Sequence, residues 1–171
     1  MSTLKPAVPK ISKASGPEKE LLERARRLAL KSADSESLDR ALALLREAAK
    51  KGSGEADYAI GTWYGFGKHL PQSDEKAVRR FKRAARKKHG PAMFNLAFSY
   101  ETGRGVPKDL ARAFGLYVQA AQEGDLEAAD SVYRCLYHGI GVARNRPLAE
   151  LVADLTDGTF ARKRKQEGAK S

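Results

Sequence analysis

The feature that most constrains this chain is a repeat with a period of 36 residues. Shifted by that distance, Ala56, Ala92 and Ala128 coincide, followed by Ile60, Leu96 and Val132, and then by Gly67, Gly103 and Gly139. Leu70, Val106 and Val142 share a further column. The second half repeats too: Ala41, Ala77, Ala113 and Ala149 align, as do Leu45, Phe81, Tyr117 and Ala153. Ala48, Ala84 and Ala120 then stand beside Ala49, Ala85 and Ala121. A period of this length means one supersecondary unit used several times, each copy hiding the apolar face of the next.

The spacing inside a copy says what the unit is. Ala92, Leu96 and Tyr100 recur every fourth residue, which lays an apolar stripe along one helix face. Gly103 suits the left-handed residue that stops a helix, and Pro107 cannot continue one. The column Ser37, Ser73, Asp109 and Asn145 is made of N-cap types, four residues ahead of the alanine column. A second amphipathic helix follows, such as Leu110 to Glu123, until Gly124 ends it. Each copy therefore reads as helix A, glycine turn, helix B, connector. Small residues in the alanine columns let neighbouring helices approach closely, while Leu, Phe and Tyr fill the gaps.

The expected fold is an all-α, right-handed α/α solenoid of three to four antiparallel helix pairs. Its units run over about 17–52, 53–88, 89–124 and 125–156. Residues 1–16 read as a disordered basic leader, with Ser15 and Glu18 suggesting a capping box, and 157–171 as a basic flexible tail.

The motif Ala92-x-x-x-Leu96-Ala97-x-x-Tyr100, with Gly103-Arg-Gly105-Val106 and Ala120-Ala121-x-x-Gly124, closely resembles the Sel-1-like repeat, a relative of the tetratricopeptide repeats. The likeness is strongest over 55–142. In the copy from Ala56, His69 and Leu70 replace Gly and Val, so its turn is expected to differ; in the copy from Ala128, Leu136 replaces the tyrosine. The resemblance implies an adaptor or scaffold, commonly bacterial, whose repeat motif supplies structure and no catalytic residues.

Composition narrows the rest. The chain has 171 residues, 42% apolar and 31% charged, a globular balance. One cysteine, Cys135, rules out an internal disulfide and suits a reducing, cytoplasmic setting. No stretch approaches the ~20 apolar residues of a membrane span. A monomer without cofactor or metal is expected. His69, His89 and His138 fall in or beside connectors, and Cys135 with His138 makes a metal pair too small to bind alone. The glycines at 65, 67, 103 and 105 lack phosphate-loop or dinucleotide spacing. A hydrolase-type enzyme would need a pocket gathering distant histidines and carboxylates, which the sequence gives no reason to expect.

Two surfaces remain as candidate binding sites. The net charge is +11, and ten basic against three acidic residues fall within 73–108. Lys76, Arg79, Arg80, Lys82, Arg83, Arg86, Lys87 and Lys88 crowd one helix, whose packed face is marked by Ala77, Phe81 and Ala84; the charges are therefore expected to face outward. Such a face suits an acidic protein segment or, in the alternative, the phosphates of a nucleic acid bound by an accessory protein. The other surface lies on the helix A copies. Tyr58, Phe94 and Asp130 form a column that changes character, as do Thr62, Phe98 and Arg134. The resemblance implies that helix A faces line the concave surface, so Tyr58, Thr62, Phe94, Phe98 and Arg134 are expected to line a concave groove that receives a peptide or helix of a partner protein.

Overall fold

A computed structural model describes residues 16–31, 34–67 and 69–155. These residues form eight α-helices and no strand. The capping box at Ser15 and both tails, 1–15 and 156–171, lie outside the described residues. The chain parts into two compact units between His89 and Gly90.

The first unit holds α1 (Pro17–Lys31), α2 (Ser35–Lys50), α3 (Gly54–Phe66) and α4 (Asp74–Ala85). Here α1 packs on α2, α2 on α3 and α3 on α4. The core is built from the repeat columns: Ala25, Ala41, Leu45, Ala48, Ala56 and Ile60 are all buried. The second unit holds α5 (Gly90–Thr102), α6 (Leu110–Gln122), α7 (Leu126–His138) and α8 (Arg146–Leu155), packed in the same sequential way. Ala92, Ala113, Ala120, Ala128 and Ala149 are at most 2% exposed, which leaves a larger side chain no room at these junctions.

The period is visible in single hydrogen bonds. The Ser73 N–H donates to the Tyr64 carbonyl at 2.9 Å, Asp109 to Tyr100 at 2.9 Å and Asn145 to Leu136 at 2.8 Å. Each bond closes the turn from helix A to helix B, and donor and acceptor both advance by 36. At the connectors, Ser53, His89 and Asp125 N–H groups donate to the carbonyls of Ala48, Ala84 and Ala120 in the same register.

Ser73, Asp109 and Asn145 cap their helices as expected: their side chains accept from the N–H groups of Lys76, Arg112 and Leu148. Ser37 does not cap. Helix α2 begins a turn earlier at Ser35, and Asp34 Oδ1 accepts the Ser37 N–H at 2.8 Å. An aspartate at least as good a cap lies upstream, and nothing in the intervening Ser-Glu breaks a helix. The turn with His69 does differ. Gly103 and Gly105, like Gly139 and Gly141, both adopt positive φ, whereas in the α3–α4 turn His69 packs edge-on against the Trp63 ring at 4.5 Å.

Candidate functional site

Helix α4 starts with Asp74 and Glu75 near the positive end of its dipole and carries Lys82 and Arg83 in its last turn, the favourable placement for both signs. Ala77, Val78, Phe81 and Ala84 are buried against α3 and its surroundings. The cations do not all face outward. Arg80 Nη1 donates to Asp57 Oδ1 at 3.0 Å, Arg83 Nε contacts the same oxygen at 3.2 Å, and Lys87 Nζ meets Oδ2 at 2.9 Å. Asp57, on α3, is fully buried. Lys87 also donates to the Ser53 carbonyl, which ties the end of the basic run to the start of α3. A carboxylate taken wholly out of water needs such partners, since an unpaired buried charge is strongly destabilising.

The other cations are arranged differently. The Lys76 ammonium sits over the Tyr64 ring at 5.4 Å, and Arg79, Arg86 and Lys88 are exposed. Lys88 adopts φ 57°, the left-handed region, in the column that Gly52 and Gly124 occupy after two other B helices.

Asp57 was not marked as functional by sequence reasoning, yet the repeat held a signal. Its column otherwise contains Leu21, Met93 and Ala129, and the Arg80 column contains Leu44, Leu116 and Val152. An apolar pair has become an ion pair in one copy only.

The helix A residues split between the two units. In the first, Tyr58 and Thr62 are buried: the Tyr58 ring lies against Phe81 and 4.8 Å from His89, and the Thr62 hydroxyl donates to the Ala59 carbonyl. In the second, Phe94 and Phe98 are half-buried, with Phe94 resting on Tyr117 at 5.6 Å. Arg134 Nη2 donates to Glu101 Oε2 at 2.8 Å, and the Tyr117 hydroxyl donates to the same oxygen at 2.7 Å. Burial works against the Glu101 charge, but these two hydrogen bonds outweigh it and hold the carboxyl below its ordinary range. Burial, with the Glu101 carboxylate beside it, pushes the Tyr117 phenol upward.

A groove of about 570 Å³ between α1 and α2 places Arg24, Arg27 and Arg40 around Leu28 and Leu44. It was not anticipated, although Arg24 and Arg27 stand in the columns of Ile60 and Trp63. The first helix pair thus carries charge at Arg24 where the later copies have Ile60, Leu96 and Val132.

Cys135 is 1% exposed, and burial raises its thiol to about 11; His138 is exposed. Among the described residues no group of three or more metal-ligating side chains gathers, and no helix is long and apolar enough to cross a membrane. His89 is largely buried, and desolvation lowers its pKa to about 4.

Comparison with known proteins places this architecture. The model of the Sel1 repeat matches residues 35–53, 54–89, 90–125 and 128–150. Among solved structures, a Sel1 repeat protein from Oxalobacter formigenes is 28% identical, with a TM-score of 0.72 over 81% of this chain and 40% of that one. A protective antigen of uropathogenic Escherichia coli displaying an SLR fold is 30% identical, with a TM-score of 0.75 over 81% of this chain and 30% of the other. The chain therefore spans well under half the length of both. The cysteine rich protein B of Helicobacter pylori shares the fold at 19% identity, with a TM-score of 0.54 over 68% of this chain and 97% of that chain. No curated protein sequence matches.

Proposed function

Since the chain belongs to the Sel1 repeat family, whose members are generally protein-interaction scaffolds, we propose that it is a non-catalytic module that binds a partner protein. Its work is equilibrium binding by preformed helical surfaces. The observation that carries this reading is the contrast between two kinds of column. Ala92, Ala120 and Ala128 recur and are fully buried, so they serve packing. The columns of Phe94 and Phe98 change from copy to copy, and both rings stay half-exposed on α5. A large aromatic ring kept partly in water is where a partner's apolar side chain gains most by docking. Arg134, held in place by Glu101, offers a fixed charge on the same unit.

The test is copurification of the tagged full-length chain from its source cells, with and without nuclease. A protein partner that survives nuclease, and is lost with Phe94→Ala/Phe98→Ala but retained with Glu36→Gln, is the expected result. Partners that all vanish with nuclease overturn the reading, and a protein partner that survives nuclease but ignores the double substitution removes Phe94 and Phe98 as its docking surface.

A further inference from the structure

We propose that α4 carries a preorganised cationic face that docks an acidic segment of a partner protein, with buried Asp57 as the anchor that fixes its cations. This rests on the reading of the chain as a protein-binding module but uses a different surface from Phe94 and Phe98.

Three observations carry it. The first is the singularity of the cluster. The three other helix pairs put Leu21 and Leu44, Met93 and Leu116, or Ala129 and Val152 where this one has Asp57 and Arg80. Packing alone is served by those apolar pairs, and a buried ion pair gives no general gain in stability over them. What the ion cluster adds is order at the surface. Arg80, Arg83 and Lys87 side chains remain 24%, 46% and 29% exposed while their heads are pinned to one carboxylate. A cation already immobilised loses less freedom when an anion arrives.

The second observation is charge. Eight cations lie between Lys76 and Lys88 with no acidic residue among them, and Asp57 neutralises only one. The exposed Arg79 and Arg86 extend the field beyond the pinned three. From Lys76 to Lys87 the run spans about 16 Å at helical rise, the length of about five extended residues.

The third observation selects the partner. Sequence-tolerant binding of single-stranded nucleic acid relies on exposed rings that stack on bases. Here Tyr58 and Phe81 are buried, and the Tyr64 ring lies under Lys76. These three rings are already engaged, so none of them offers a stacking platform beside the cations. Carboxylates on a protein segment are the anions it fits.

The experiment uses the full chain and a fluorescein-labelled Asp/Glu peptide of about ten residues, with a single-stranded oligonucleotide as competitor, at low salt. Peptide binding is expected, weakened about tenfold or more by Arg79→Glu/Arg86→Glu, which leaves the Asp57 contacts intact, and unaffected by Phe94→Ala/Phe98→Ala. The decisive variant is Asp57→Asn, checked for folding by circular dichroism. It makes the protein more positive, so unordered electrostatics predicts tighter binding, whereas preorganisation predicts a several-fold loss. No peptide binding, tighter binding by Asp57→Asn, indifference to Arg79→Glu/Arg86→Glu, or an oligonucleotide bound more tightly than the peptide would each overturn the proposal.

Discussion

At the scale of single residues, backbone conformation and burial set the sharpest demands. Gly141 has φ 70°, and a Cβ there would lie 2.0 Å from the Leu110 carbonyl oxygen. Gly141→Ala combines left-handed strain with a backbone collision, and we expect a loss of about 3 kcal/mol or more in urea denaturation. Lys88 meets the same left-handed region without glycine's freedom. Lys88→Gly should therefore raise stability by about 1 kcal/mol, while Lys88→Ala should not, which isolates the backbone effect from the lost charge.

His89 gives a pH dependence whose sign follows from its burial. The unfolded chain protonates this imidazole near 6.5, but desolvation holds it at about 4 in the fold. Between those values the unfolded state binds the proton more readily, so stability is lost as pH falls from about 6.5 to about 4. The loss is on the order of 3 kcal/mol. His89→Gln should flatten that part of the stability profile measured by thermal melts; an unchanged slope would show that the imidazole is not the source.

At the scale of the helix, capping and close packing carry the architecture. Asp109 Oδ1 accepts the Arg112 N–H at 2.9 Å, and Asp109→Ala should cost about 1 kcal/mol by chemical denaturation. The fully buried Ala120 stands where α6 meets its neighbours. Ala120→Leu should cost about 1–3 kcal/mol by overpacking, because the surrounding helices have no space to yield. Both effects belong to columns that the 36-residue period exposes without coordinates. Ser37 alone in its column fails as a cap, for the same local reason that made it plausible: cap chemistry is short-range, and Asp34 offers it three residues earlier.

At the scale of the whole molecule, the two proposed binding surfaces should respond differently to salt. Most of the net charge of +11 falls within 73–108, chiefly on the run from Lys76 to Lys88, so capture through that run should weaken several-fold as sodium chloride rises from about 50 to about 200 mM. Capture that depends on Phe94 and Phe98 should change little over the same range, since apolar contact is not screened. Parallel titrations of the two variant sets would separate the surfaces, and identical salt slopes would show that one site serves both.

The sequence by itself determined the helix pairs, their glycine turns and the buried alanine columns, because periodic contacts between near neighbours leave a periodic trace in the chain. It also marked α4 as basic. Only the tertiary structure decided how that charge is used, since Asp57 lies 23 to 30 residues from the cations it holds. It likewise decided that Tyr58 and Thr62 are buried while Phe94 and Phe98 are half-exposed, a difference the residue types do not announce, since the polar Thr62 is more buried than Phe98. The physical reason is that burial and charge pairing depend on what an adjacent helix brings to the contact, and residue spacing along one helix records only its own faces.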